Sequence, residues 1–298
     1  MENYLQDLQQ LGIDFCQNCP LSAHSTFRIG GAARVAVFPN SREQMLQCLS
    51  LLRERDLPFL VVGNASNVVF PDEGFSGVVV FTGQHREISV QGNRMLVGAG
   101  ATLASVAMNA LSHSLCGAEF AQGIPGTLGG GIFMNAGAFG GCMDQICALS
   151  EYYDLSTGST VTLVGEEQAF STRDSFYQHH PEAVILGATL QLKQGDPQEI
   201  RAIMEDYRQR RRSTQPLELP SAGSVFKRPV GHFAGKLIQD CGLKGMTVGG
   251  AQVSEKHAGF IVNRGGATAG DVKRLVEQIR EIVLRETGVT LECEIQFL

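Results

Sequence analysis

Apolar residues recur at helical spacing in four stretches of the chain. Residues 42–55 place Met45, Leu46, Leu49 and Leu52 on one face, and Pro58 follows, which predicts an amphipathic helix with a stop. Residues 103–116 carry Leu103, Val106, Ala107, Ala110 and Leu111 between Thr102 and Gly117, residues suited to start and end a helix. A third helix begins at Pro197, where the missing N–H costs nothing, and continues with Ile200, Ile203, Met204 and Tyr207. The fourth spans about 269–287. Thr268 and Asp271 form a capping-box-like start, Gly288 the stop, and Val272, Leu275, Val276, Ile279 and Val283 the buried stripe.

Strand-like runs lie between these helices, at 34–38, 59–62, 67–70, 77–81, 94–98, 160–164, 183–192, 259–263 and 290–297. Strands and helices mix without a regular alternation, which favours an α+β fold over a doubly wound sheet. At 298 residues the chain is long for one core and suggests two or three lobes. A turn-like composition shift at Gly195-Asp196-Pro197 marks a boundary. In the last strand Leu291, Cys293, Ile295 and Phe297 alternate with Thr290, Glu292, Glu294 and Gln296. Glu294 therefore points away from the core, toward solvent or toward a cleft.

Charge changes the picture by exclusion. The net charge is -6 and the basic run Arg208 to Arg212 ends a helix, where cations meet the dipole as a solvated end. No nucleic-acid partner is expected. No signal peptide and no apolar run of spanning length is present, so a cytoplasmic protein without membrane attachment is expected. The eight cysteines are scattered, with Cys16 and Cys19 as the one CxxC; reduced structural thiols are expected, and no metal site. His179-His180 reads as an exposed loop pair for want of further ligands at metal spacing.

Glycine carries the candidate chemistry, with 35 residues of that type. Gly98-Ala-Gly100-Ala-Thr-Leu103 resembles the start of a dinucleotide fingerprint, but its third glycine is Leu103, so a tight strand-to-helix turn is the reading. Gly231 to Lys236 fails the phosphate-binding pattern, having three residues between its glycines and Leu237 after the lysine. Gly123-Ile124-Pro125-Gly126-Thr127-Leu128-Gly129-Gly130, running on to Asn135-Ala136-Gly137, exposes backbone N–H groups suited to a diphosphate; a tight surface loop is the bland alternative. Gly63-Asn64-Ala65-Ser66-Asn67 is a second such turn, and Thr26 to Gly31 a third. Ser224, in Ser221-Ala-Gly-Ser-Val-Phe-Lys227-Arg228-Pro229, has no adjacent base pattern and by itself reads as a turn hydroxyl.

Taken together, nine segments resemble the UDP-N-acetylenolpyruvoylglucosamine reductase family. In chain order they are TFRIGG at 26–31, GNASN at 63–67, GIPGTLGG at 123–130, NAGAFG at 135–140, RDS at 173–175, AGSVFKRP at 222–229, HFAGKLI at 232–238, HAGFIVN at 257–263 and the terminal LECEIQFL. The resemblance implies a two-lobed FAD-binding domain of the vanillyl-alcohol-oxidase type over residues 1–195, with lobes at about 1–80 and 81–195. A C-terminal α+β substrate-binding domain follows over 196–298, its last strand able to pack back near the FAD domain. The short interval from Arg173 to Ser224 matches the family's compact branch, which lacks an inserted tyrosine-bearing loop.

The implied activity is NADPH-dependent reduction of UDP-N-acetylglucosamine enolpyruvate to UDP-N-acetylmuramate through non-covalent FAD, a step of peptidoglycan precursor synthesis. No obligate protein partner is implied. The turns at 63–67 and 123–130, with Asn135, Ala136 and Gly137, become the FAD site. Ser224 becomes the proton donor to C2 after hydride addition at C3, while Arg173 and Glu294 hold the carboxylate and the developing enolate. Lys227, Arg228 and Lys236 become substrate contacts. Two positions depart from the family pattern: Thr172 stands in place of the usual Tyr, and Ala65 in place of the usual Gly. An FAD-linked oxidase of the same fold, or a non-catalytic flavin or UDP-sugar binder, is the alternative.

Overall fold

The computed structural model describes residues 3–298 and contains two compact units, each assembled from separate stretches of chain. The first comprises the chain up to Gln17, Val35–Asn64 and Ser76–Gln209; the second comprises Asn18–Arg34, Ala65–Phe75 and Arg210–Leu298. The turn at Gly195 lies inside the first unit, and the division falls between Gln209 and Arg210.

The first unit has two cores. In one, helices α1 (Asn3–Gln10) and α2 (Arg42–Glu54) cover strands Ala32–Phe38 and Phe75–Phe81, which enter the unit at Val35 and Ser76, and Phe59–Val62, the last two parallel with Phe59 opposite Val78. Ser41 caps α2 by accepting the Gln44 N–H at 3.2 Å. Its buried stripe is Met45, Cys48, Leu49 and Leu52. Leu46, expected on that face, is only half-buried, because positions 45, 48, 49 and 52 keep the 3.6-residue period and 46 falls beside it.

The other core lies on a five-stranded antiparallel sheet, ordered Ser159–Val164, Cys147–Asp154, Ala183–Gln191, Arg94–Gly98 and Ile88–Gln91. Four helices belong to it: α3 (Leu103–Ser112), α4 (Leu128–Phe133), α5 (Phe176–His179) and α6 (Pro197–Thr214), which runs on past the division. Thr102 caps α3 as expected, accepting the Ser105 N–H at 3.0 Å. The helix stops at Ser112, earlier than the expected 116. Ser114 turns left-handed (φ 56°), and Leu115–Cys116 pairs antiparallel with Lys193–Gln194 instead. On α6, Ile200 and Met204 are buried, while Ile203 is 41% exposed. Arg211 departs from the solvated reading of its basic run: it is buried, and desolvation lowers its pKa.

The second unit packs α7 (Ala234–Asp240) and α8 (Ala269–Thr287) with an antiparallel sheet ordered Ser221–Ser224, Phe260–Asn263, Ala251–Val253 and Thr247–Val248. Helix α8 follows its sequence signals at both ends. Thr268 Oγ1 accepts the Asp271 N–H at 3.0 Å, Asp271 accepts the Thr268 N–H at 3.1 Å, and Gly288 closes the helix at φ 72°. All five stripe residues are buried.

The terminal strand differs from its expected single run over 290–297. Only Gln296–Phe297 forms a strand, parallel to Val68–Val69, while Cys293 bridges Phe226 antiparallel. The segment changes partners around Glu294, so alternation holds at Leu291 and Ile295, both buried, and fails at Phe297, which is 39% exposed. Among the described residues no helix is long and apolar enough to cross a membrane.

Candidate active site

In the first unit four small-residue turns meet. The turn after Phe59–Val62 supplies Gly63 and Asn64. The segment Thr82–Gln84 follows Phe75–Phe81, Ala99–Thr102 joins a sheet strand to α3, and Gly123–Thr127 leads into α4. Asn64 Nδ2 donates to the Pro125 carbonyl at 3.0 Å, and the Leu103 N–H donates to the Gly126 carbonyl at 3.0 Å. Glycine is what allows this approach: a Cβ on Gly63 would collide with Thr127 Oγ1, and one on Gly100 with the Thr82 carbonyl oxygen.

The stretch 128–133, which from sequence is part of one continuous glycine loop, is helical. Thr127 caps it by accepting the Gly130 N–H at 3.4 Å. Gly129 and Gly131 are buried there, because Ala99 and the Leu103 side chain lie where their Cβ atoms would come close. These glycines therefore provide the close packing that Leu103 denies the first turn. The N–H groups of Leu128 and Gly129 are spent on the carbonyls of Ala101 and Ala99, both at 2.8 Å, and that of Ile124 on Ala121 at 3.2 Å. Among the described residues the N–H groups of Gly123, Gly126 and Thr127 have no protein acceptor. The four turns contain no carboxylate. A surface of donors without competing negative charge fits an anionic diphosphate.

His85 lies beneath these turns. It is 3% exposed, its Nε2 lies 2.9 Å from the Leu186 carbonyl, and its own carbonyl accepts the Gly100 N–H at 2.9 Å. Burial lowers its pKa, which keeps the ring neutral. The sequence reading missed His85, since a single histidine in a polar turn carries no periodic signal.

Arg173 also belongs to the first unit. Its guanidinium donates to the Gly137 carbonyl at 3.0 Å and to the Asn135 carbonyl at 3.3 Å. Asn135 is buried; its side chain donates to Ser171 O at 2.8 Å and accepts the Asp144 N–H at 3.0 Å. The Ala136 N–H donates to Gly131 O at 2.7 Å. Three non-glycine residues here are left-handed: Asn135 at φ 40°, Phe139 at 54° and Arg173 at 58°. Such conformations persist only where surrounding structure enforces them, and they cluster at functional sites. Nearby Cys142 is pushed up to about 11 by burial and by its bond to Asp144.

Ser224 and Glu294 belong to the second unit and are brought close along the backbone. The Glu294 N–H donates to Val225 O at 2.8 Å, and the Lys227 N–H to Glu292 O at 2.9 Å. On its other side the same segment meets Asn67, whose side chain donates to Glu294 O at 3.1 Å and whose carbonyl accepts the Gln296 N–H at 2.9 Å. Glu294 is half-buried. Ser224 is exposed on an edge strand with a register shift between Ser221 and Ser224, where Gly223 is left-handed at φ 78°. A bulge of this kind re-aims the side chain that follows it.

The remaining named residues separate. Lys227 Nζ lies 3.8 Å from Glu292. Arg228 lies over the Phe233 ring at 3.9 Å and donates to His232 O. Lys236 pairs with Asp240 at 2.8 Å on the exposed face of α7. Ala65 is left-handed at φ 46°, so the residue that stands where the family carries Gly bears a strain of about 1–2 kcal/mol. Ser66 and Asn67 follow it in the second unit, while Gly63 and Asn64 lie in the first. The two histidines at 179 and 180 pair with Asp174 and Glu182, each at 2.9 Å.

Comparison with known proteins bears on both units. A family model described as an FAD binding domain matches residues 33–163, and one for the C-terminal domain of UDP-N-acetylenolpyruvoylglucosamine reductase matches 215–298. The UDP-N-acetylenolpyruvoylglucosamine reductase of Caldanaerobacter subterraneus subsp. tengcongensis is 45% identical over 94% of this chain and 92% of its own length. The Clostridium perfringens protein of that name is 41% identical over 100% and 99%. The crystal structure of UDP-N-acetylenolpyruvylglucosamine reductase from Thermus caldophilus aligns with a TM-score of 0.80 at 33% identity, covering 96% of this chain and 98% of that one.

Proposed function

This chain belongs to the UDP-N-acetylenolpyruvoylglucosamine reductase family, and on that premise we propose that it reduces UDP-N-acetylglucosamine enolpyruvate to UDP-N-acetylmuramate at the expense of NADPH. It is an FAD-containing oxidoreductase of peptidoglycan precursor synthesis. Residues 1–195 are assigned to FAD binding and 196–298 to the substrate; the family-model limits of 33–163 and 215–298 support this division. The chemistry FAD supplies when bound is hydride transfer, from NADPH and then to C3 of the enolpyruvyl ether.

The unspent N–H groups of Gly123, Gly126 and Thr127 hold the cofactor's diphosphate, with Gly63, Asn64 and Gly130 beside them. Gly129 shapes the turn by packing on Ala99. Ala65, Ser66 and Asn67 continue the first of these turns.

Addition at C3 develops negative charge at C2 that spreads into the substrate carboxylate, and stabilising that charge lowers the barrier. Arg173 binds the carboxylate. Its guanidinium is already oriented by two carbonyls, so little ordering remains to be done when substrate arrives. Ser224 delivers the proton to C2. Glu294 assists at the developing enolate. Lys227 and Arg228 meet the substrate diphosphate, with Lys236 a weaker contact.

The observation that carries this reading is the bond from Glu294 N–H to Val225 O. It joins the C-terminal segment that carries Glu294 to the residue after Ser224, which supports a joint role for the acid and the hydroxyl. An anaerobic absorbance experiment tests it. The bound flavin is reduced with NADPH, UDP-N-acetylglucosamine enolpyruvate is added, and rapid return of the oxidised spectrum is expected. Flavin that stays reduced until oxygen is admitted would point to an oxidase instead, and protein without flavin would overturn the reading.

A further inference from the structure

The turn that orients Arg173 is itself held from outside. Gly137 and Ala138 pair antiparallel with Cys142 and Gly141, making a tight hairpin whose tip is Phe139. Phe139 is left-handed and 38% exposed. An exposed aromatic in a strained conformation at a hairpin tip loses on both counts unless something holds it. Tyr207 does so: the two rings stack with centroids 4.3 Å apart and planes 13° from parallel.

Tyr207 is well placed to act as a fixed point. It lies on α6 one turn beyond Met204 and two beyond Ile200, both buried in the core of the same unit. That spacing puts the three residues on one helix face. The connection therefore runs from a core-anchored helix, through a ring stack, into a hairpin of two-residue strands, and ends at the Gly137 carbonyl that accepts from Arg173.

We propose that Tyr207 is a positioning residue for Arg173, acting through the Phe139 ring to fix the hairpin whose Gly137 carbonyl orients the guanidinium. The proposal rests on the role given to Arg173 above. Stacking, and not the phenol hydroxyl, is the property it requires.

The test uses Tyr207→Ala and Tyr207→Phe in the FAD-loaded enzyme, each alone and combined with Arg173→Lys. Flavin reduction by NADPH and flavin reoxidation by UDP-N-acetylglucosamine enolpyruvate are timed separately, and flavin content and Tm are recorded. Tyr207→Ala is expected to slow reoxidation on the order of 10-fold, the scale of a small misplacement relayed from outside a site, with reduction unchanged. Tyr207→Phe is expected to restore the wild-type rate. On the Arg173→Lys background, Tyr207→Ala is expected to add nothing further.

Wild-type reoxidation in Tyr207→Ala would overturn the proposal. So would an equal slowing of both half-reactions, or the same factor of loss with Arg173→Lys as without it, since each describes a general structural lesion. A wild-type rate in Arg173→Lys alone would instead remove the role of Arg173 on which the proposal depends.

Discussion

The two units solve different problems with different residues. In the first, the candidate cofactor turns come together because side chains are missing: Gly63 and Gly100 lie where a Cβ would collide, and Gly129 and Gly131 let α4 bury against Ala99 and Leu103. In the second, the candidate chemistry depends on side chains that are present, Ser224 on a bulged edge strand and Glu294 on the segment bonded beside it. Removing bulk shapes a surface of backbone donors, whereas delivering a proton needs a particular hydroxyl. Substitutions at the first unit's glycine turns should therefore act on flavin retention and stability, and those at the second unit's pair on turnover.

The largest expected effect separates the units most sharply. Ser224→Ala should bind FAD and accept hydride from NADPH as the wild type does, while reoxidation by substrate slows by at least ~100-fold, the low end for a positioned acid. Stopped-flow measurement of the two half-reactions checks this, and nearly unchanged reoxidation would remove Ser224 as the proton donor.

Gly100→Ala comes next. Its Cβ would strike the Thr82 carbonyl, a backbone atom that cannot rotate away, so a loss of about 1–3 kcal/mol is expected, the usual cost of overpacking. Urea melts and flavin content after gel filtration report it. Wild-type values for both would show that the turns tolerate separation and are not the tight cradle described.

Ala65→Gly should move stability the other way. Relief of left-handed strain, about 1–2 kcal/mol, is partly offset by the greater freedom of glycine in the unfolded chain, about 0.5–1 kcal/mol. A rise in Tm is expected, and a fall would mean that the Ala65 methyl group, which is buried, contributes more by packing than it costs in conformation.

The smallest effect at neutral pH concerns one histidine in each unit. Burial lowers the pKa of His85 in the first and of His257 in the second. In both, the unfolded state binds protons more readily than the folded state, so the histidine's contribution to stability is constant well above the ordinary value of 6.5 and declines as pH falls through and below it. Urea melts between pH 7.5 and 5 should show this decline, and His85→Gln should reduce its slope. An unchanged slope would mean that the folded protein protonates His85 as easily as the unfolded chain does.

Much of the fold was legible because several local signals agreed. Helix α8 has its capping box, stripe and terminal glycine in register, and the structure follows them residue for residue. Strands 59–62 and 94–98 match their expected limits for the same reason, being short apolar runs bounded by turn residues. Where signals conflicted, the sequence was a poorer guide. A run of glycines reads as loop, yet 128–133 is helical because Thr127 caps it and its bare positions bury on neighbours remote in sequence.

By itself, the sequence determined the family, the FAD chemistry and the α+β class, because these rest on residue types held in a fixed order along the chain. Tertiary structure alone decided which glycines shape the turns and which N–H groups remain available, since both depend on what lies within a few ångströms in space. It also decided that the terminal segment runs between Val225 and Asn67, that Ala65 is strained, and that Tyr207 stacks on Phe139 across 68 positions of sequence. Contacts of that range leave no period in the chain for a reader to find, because the chain records each residue's neighbours along one dimension only.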